Sequence, residues 1–218
     1  MNLEQEGWAT VPACLPQATL HALGASAFSE SDAGRRCLLD QEAVNQTARA
    51  LRAKLVDAGI LPVTAVAIQA IAFDKNPSVN WKVPWHQDLM FPFAGRTTAP
   101  GYELPTVKAG VHYARPPLEV LEELLAVRLH LDECDATNGP LRVAAGSHRH
   151  GILKSELIPD ILGKSREITC LAKTGDALLM KPLLLHASSP ATSPGHRRVL
   201  HYVFHSGRPL PEPWHRSI

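Results

Sequence analysis

Cysteine is scarce in this chain and poorly placed for structural work. Cys14, Cys37, Cys134 and Cys170 are scattered through 218 residues and form no Cys-x-x-Cys pair. That argues against a dense disulfide framework and against a structural zinc site. A reducing cytoplasm is therefore the simplest compartment. Net charge is also nearly absent: 22 Lys and Arg stand against 21 Asp and Glu, for a net of +1. There is no electrostatic case for a nucleic-acid or membrane-surface partner. No apolar run reaches the roughly 18 residues that a spanning helix needs. The opening MNLEQEGWAT has neither a basic nor an apolar region, so no signal peptide is expected. Internal repeats and low-complexity tracts are missing as well.

What is present is ordinary for a globular protein, at 45% apolar and 20% charged residues, and the length suits one sizeable domain. Histidine is the exception. There are eleven, most of them after residue 85, and imidazole is the commonest metal ligand.

The N-terminal third, about residues 15–60, reads as helical. In DQEAVNQTARALRAKLVDAG, Ala43, Val44, Ala48, Leu51 and Leu55 recur at helical spacing, and Gly59 supplies a stop. GWATVPACLP before it reads as a short strand. From about residue 61 to 206 the pattern turns to short apolar or alternating runs separated by turn residues. The clearest strands are 63–73, 126–132, 141–144, 176–186 and 198–204. Residues 90–117 are rich in Pro and Gly and read as a long excursion, with a short helix in LEVLEELL after it. Loops of this length often serve as lids, so 90–125 is the expected lid or insert. Many short strands with turn punctuation predict a mainly β fold of jelly-roll or barrel type with N-terminal helices.

Three blocks carry the chemistry. In VPWHQDLMFPF, His86 and Asp88 stand two apart, and side chains at i and i+2 share a face in a strand. The alternatives are a solvated turn pair or two ligands facing something between them. In GDALLMKPLLLHASSP, the even positions Leu178, Met180, Leu184, His186 and Ser188 share one face if the run is one strand. His186 is then either a satisfied core histidine or a third ligand. Two histidines and one carboxylate form the facial set that leaves adjacent positions open on non-haem Fe(II). In GHRRVLHYVF, Arg197 or Arg198 opens the last strand, and either could hold a carboxylate by two parallel hydrogen bonds.

WHQD, then NGPLRVAAGSHRHG, then LLLHASSPATSPGHRR together resemble the phytanoyl-CoA dioxygenase family of Fe(II)/2-oxoglutarate oxygenases, over roughly residues 60–205. The resemblance implies a double-stranded β-helix, a cupin-like jelly roll with the metal at its open mouth. It implies Fe(II) with O2 and 2-oxoglutarate as co-substrates, His86, Asp88 and His186 as metal ligands, and Arg197 and Ser188 as the grip on the distal carboxylate. Gln69 matches a glutamine that contacts the co-substrate in related hydroxylases, with Lys75 beside it. The expected reaction is hydroxylation of a small molecule at an unactivated C–H bond, with release of succinate and CO2. Related halogenases lack the carboxylate supplied here by Asp88.

Two positions depart from the family pattern. Ala145 replaces the usual proline before Gly-Ser-His. Arg128 replaces a tryptophan near the co-substrate, which favours a small polar or carboxylate-bearing substrate and leaves acyl thioesters open. Each block also has a plainer reading: Ser188 as a turn cap before Pro190, Gln69 as a buried amide satisfied by backbone, Arg128 on a solvated strand face. Trp81, Trp85 and the LMFPF aromatics read as packing or as walls of a substrate pocket. His112, His130, His201 and His205 are taken as structural. The competing class is a cupin-like metal-binding protein or isomerase without oxygenase activity.

Overall fold

The computed structural model describes residues 2–28, 34–193 and 195–218. Its framework is two facing antiparallel sheets. The larger runs in the order β1 (Trp8–Val11), β11 (Ala177–Met180), β8 (Leu125–His130), β13 (Arg197–His205), β3 (Val66–Lys75) and β2 (Gly34–Arg35). The smaller runs β10 (Glu167–Cys170), β9 (Leu141–Ala144), β12 (His186–Ser188) and β4 (Val83–His86). Neighbours far apart in sequence lie side by side, as a double-stranded β-helix requires.

Helices cover the outer face of the larger sheet. Besides the short α1 (Leu3–Glu6), they are α2 (Gln17–Ala27) and α3 (Glu42–Asp57). Val44, Thr47, Ala48, Leu51 and Leu55 form the buried stripe of α3. They pack with Ala67, Ala70, Val127, Leu129, Leu200 and Tyr202 from the sheet. Each fully buried Leu there stabilises the fold by about 1.5–3 kcal/mol. The helix stops where expected: Gly59 takes φ +68, and the N–H groups of Ile60 and Leu61 donate back to the Leu55 carbonyl.

Alternation aims the opposite face of the same strands inward. On β8, Val127 and Leu129 meet the helices, whereas Arg128 faces the space between the sheets. On β13, Arg197, His201 and Val203 point inward. Gln69, Ile71 and Phe73 do so on β3. Strands β3 and β13 pair from Arg197↔Lys75 to His205↔Val66, with one extra residue at Ile68. This bulge keeps both Ala67 and Ala70 on the helix side while Ile68 and Gln69 face away from it.

Two strand expectations need correction. Residues 176–186 are not one strand. Met180 ends β11, Pro182 interrupts the run, Leu184 N–H donates to the Lys181 carbonyl, and β12 begins at His186 in the other sheet. Proline supplies no N–H and fixes φ, so the chain crosses between sheets here. Residues 90–117 are not a bare excursion either. β5 (Phe91–Phe93), β6 (Glu103–Lys108) and β7 (Val111–Arg115) form a third sheet in the order β5-β7-β6. Phe91 and Phe93 are fully buried with Leu121, Leu124 and Leu183. Pro92 is tolerated because its carbonyl, and with it the ring nitrogen that lacks a hydrogen, faces away from β7 toward the tail at His215. The helix expected in LEVLEELL is α4 (Leu118–Glu122), and α5 (Ile158–Lys164) lies between β9 and β10.

Candidate metal centre

His86 and His186 are Cα partners across β4 and β12, so their rings face each other with centroids 4.1 Å apart. Each ring is turned by the same device. His86 Nδ1 donates to the Pro84 carbonyl and His186 Nδ1 to the Leu184 carbonyl, both at 2.9 Å. That fixes the tautomer and leaves both Nε2 atoms free as lone-pair donors.

Asp88 completes the group from just beyond β4. Its Oδ1 lies 3.6 Å from His86 Nε2, and its Oδ2 lies 3.6 Å from His186 Nε2. Ligand atoms of these three residues all fall within 4.8 Å of one another, and no other such group occurs among the described residues. Two imidazole nitrogens and one carboxylate oxygen on one side of an open cavity suit a divalent transition ion such as Fe(II).

Strand alternation alone does not hold Asp88, because β4 ends at His86. Gln87 does the work between them. Its amide nitrogen donates to the carbonyls of Gly151 (2.8 Å) and Leu183 (2.6 Å), and its oxygen accepts from Leu153 N–H at 2.8 Å. Asp88 N–H adds a bond to the Pro182 carbonyl. With the Gln87 side chain held on the backbone at Gly151, Leu153 and Leu183, its two neighbours His86 and Asp88 meet beside the cavity. The later motifs serve the same end. Ser147, in Gly-Ser-His, accepts from Leu185 N–H and so seats the strand that carries His186.

Burial opposes ionisation of Asp88, but His186, His86 and His201 together outweigh it and hold the carboxyl well below its usual range. His186 is pushed down to about 4, first by burial. His86 differs: burial opposes its proton, but the bond to Asp88 and that carboxylate's charge outweigh burial and raise it, so a metal bound here would displace a proton from His86.

Beside this group lies a cavity of about 530 Å³. At one end Lys75 Nζ donates to Ser188 Oγ (3.0 Å) and to the Ser189 carbonyl (2.6 Å), while Arg197 Nη1 donates to the Gly139 carbonyl at 2.6 Å. Gly139, from the Asn-Gly-Pro-Leu block, has φ +74, and a Cβ there would sit 2.7 Å from the Ser189 carbonyl oxygen. Arg197 is the inward arginine. Arg198 turns to the other face and forms a two-point pair with Asp132, at 2.7 and 2.9 Å.

Arg128 is buried in the same cavity, and its Nη1 donates to His201 Nδ1 at 3.2 Å. Desolvation lowers it to about 10, with Arg197 adding to the effect. Lys75 is lowered to about 8 by burial, then by Arg197 and Arg128. The Nε atoms of Arg128 and Arg197 and the side-chain oxygen of Gln69 are buried without partners. Three buried cations, two of them with unpartnered Nε atoms and none bonded to a carboxylate, suit an anionic ligand.

The structure thus brings together His86, Asp88, His186, Ser188, Arg197, Gln69, Lys75 and Arg128. It does not bring Trp85, which faces away from the cavity with Arg142 5.3 Å from its ring centre. Trp81 lines the cavity instead, with Lys75 Nζ 5.5 Å from its ring centre. His201, taken as structural, belongs to the site: its Nε2 lies 4.0 Å from Asp88 Oδ2, and it is lowered to about 3 by burial and then by Arg128. Its signal was positional, since it follows Arg197 by four residues in one strand and so shares its face.

Comparison with known proteins agrees with this fold. The epimerase SnoN from nogalamycin biosynthesis, described as non-heme and alpha ketoglutarate dependent, superposes with a TM-score of 0.67 at 12% identity, over 94% of this chain and 80% of that one. AviO1 from Streptomyces viridochromogenes Tue57 gives 0.64 at 18%, over 97% and 95%. HygX from Streptomyces hygroscopicus with iron bound gives 0.63 at 11%, over 99% and 95%. No curated protein matches the sequence significantly. The sequence profile described as Phytanoyl-CoA dioxygenase (PhyH) matches residues 3–199. By that match, spanning most of its length, the chain belongs to the phytanoyl-CoA dioxygenase family.

Proposed function

We propose that this family member is a non-haem Fe(II)- and 2-oxoglutarate-dependent oxygenase that hydroxylates a small molecule at an unactivated C–H bond. One observation carries the reading. The two free Nε2 atoms and the Asp88 carboxylate converge beside a buried end lined by Ser188, Arg197 and Lys75. A metal jelly roll that served only as a binding module or isomerase has no need of such an anion grip. His86, His186 and Asp88 hold the ion. Arg197, Ser188 and Lys75 hold the far carboxylate of the keto diacid, and Gln69 lines the wall between. When bound, iron and 2-oxoglutarate supply oxidising power from O2, with release of succinate and CO2.

The chain's own residues do the rest. His201 directs its Nε2 toward Asp88, 4.0 Å from Oδ2, while its Nδ1 accepts from Arg128. Ile71, Phe73, Leu89, Met90 and Val203 give the cavity apolar walls that exclude water from the reacting carbon. SnoN, described as an epimerase, supports a second fate for the same oxidised substrate: stereochemical inversion instead of hydroxyl transfer. The four free cysteines fit a reducing cytoplasm. No helix among the described residues is long and apolar enough to cross a membrane.

Succinate formation from 2-oxoglutarate with Fe(II) under air, against an anaerobic control, tests the oxygenase reading. Oxygen-dependent succinate that disappears in His86→Ala and His186→Ala is the expected result. Succinate formation that persists in both variants would remove these histidines from the ligand set.

A further inference from the structure

The described residues lining the cavity include one carboxylate, Asp88, and the metal claims it. Against it stand Arg128 and Arg197 inside, Lys75 behind Ser188, and two more cations at the mouth, Arg36 and Lys108. A divalent ion and a dicarboxylate cancel each other's charge. The loaded cavity therefore stays positive, and Arg36 and Lys108 carry the part of that excess that no carboxylate lining the cavity offsets. Neither Arg36 nor Lys108 forms an ion pair with a described residue. Both are exposed, yet neither is a loose surface charge.

Tyr113, on β7, lines the cavity with them and meets Lys108 directly and the neighbour of Arg36, Cys37, on its other side. Lys108 ends β6 just before a turn with positive φ at Ala109 and Gly110, which folds the hairpin back. Its Nζ sits 5.5 Å from the centre of the Tyr113 ring. On the other side, the Tyr113 hydroxyl meets Cys37 Sγ at 3.8 Å. Cys37 has φ 59, and the preceding Arg36 lines the cavity. The cavity that holds both this rim and the metal group has apolar lining from Ile71, Phe73, Leu89, Met90 and Val203.

We infer that Arg36 and Lys108, lining the cavity beside Tyr113, clamp an oxyanion at the outer end of the primary substrate, a carboxylate or a phosphate ester on an apolar body that reaches the metal. This deepens the proposed function and rests on it for the identity of the inner anion. The clamp residues themselves touch neither the metal ligands nor the Arg197 end.

The test is calorimetric titration of the whole metal-free chain with succinate present to fill the inner cations. The probes are matched pairs: phenylacetate with phenylacetamide, and benzyl phosphate with benzyl alcohol. The anion of a pair should bind about tenfold or more tightly than its neutral partner. Arg36→Gln and Lys108→Gln should each erase most of that preference and leave the neutral partner unchanged. Whichever anion binds better identifies the group. Equal affinity within both pairs, a preference that survives in the double variant, or no binding by any probe would overturn the clamp. A separate Mn(II) titration keeps the two readings apart: a chain that fails to take up Mn(II) loses the proposed function, while the clamp result in the metal-free chain still stands or falls by itself.

Discussion

Replacing Gln87 by Ala should loosen the metal group without touching a ligand. The side chain makes three hydrogen bonds of 2.6–2.8 Å to the backbone at Gly151, Leu153 and Leu183. Each contributes about 0.5–1.5 kcal/mol net, so the variant should lose about 2–4 kcal/mol of stability. The lower half of that range applies if water from the cavity reaches the stranded groups. The effect on the metal is separate. With Gln87 gone, Asp88 keeps its N–H bond to Pro182 but not the anchor that opposes it across the chain. Losing such a support typically costs ten- to a hundredfold in metal affinity, about 1.4–2.7 kcal/mol. Thermal unfolding of the metal-free chain reads the first quantity, and titration with Mn(II) below the melting range reads the second. Gln87→Glu is the companion variant: it keeps the acceptor for Leu153 N–H but sets oxygen against the two carbonyls, so it should be worse than Ala. Metal affinity unchanged in a destabilised Gln87→Ala chain would refute the reasoning and place the orientation of Asp88 in β4 alone.

Lys75 gives a pH dependence. Its folded pKa is about 8, below the ordinary 10.5, so between those values the unfolded chain binds more protons and stability of the free chain should rise with pH. A carboxylate bound at Ser188 and Arg197 favours the ammonium, so 2-oxoglutarate affinity should fall as pH climbs past 8. Lys75→Met should flatten that fall in a calorimetric series. Gly139→Ala should cost about 1–3 kcal/mol from its positive φ alone. It should also raise the 2-oxoglutarate requirement, because the carbonyl that anchors Arg197 moves; melting and succinate assays check the two parts. Arg128→Met should leave the free chain as stable or more so, by up to about 4 kcal/mol, while weakening anion binding; a less stable, normally binding variant would mark Arg128 as purely structural.

The parts of this molecule legible in sequence were those whose signal is local. The stripe of α3 and the alternation of β8 are periodicities of side chains along one element. The three chemical blocks are short and carry their own spacing. What hid from sequence depends on contacts between distant segments. Residues 91–115 read as an excursion because prolines and glycines punctuate them, yet β5 gains partners on both sides: β7, and the C-terminal tail through Ala94 N–H to Pro213 and His215 N–H to Pro92. The expected single strand 176–186 failed at Pro182. The side chains on either side of the break still face the same interior, because Leu178, Met180 and Leu184 join one buried cluster there. Trp85 is different: alternation along β4 with its inward neighbour His86 already puts it outside, where it meets Arg142.

His201 shows where local signal stops. Parity alone put it on the face of Arg197, but its role depends on Arg128, its Cα partner across β8 and β13. Arg128 occupies Nδ1, so the proton of the neutral ring sits on Nε2, toward Asp88. The same bond explains why a buried arginine can stand beside Arg197 with no carboxylate of its own. A neutral imidazole accepts from one guanidinium nitrogen, and the remaining donors stay free for a ligand. A core selected only for stability would place an apolar side chain at 128, since the bond to His201 and the Phe73 ring centre 5.7 Å away still leave this buried cation without a carboxylate bond and its Nε without a partner, which costs free energy. The fold tolerates that cost in a cavity whose other occupants are anions, and its energetic balance closes only when they are bound.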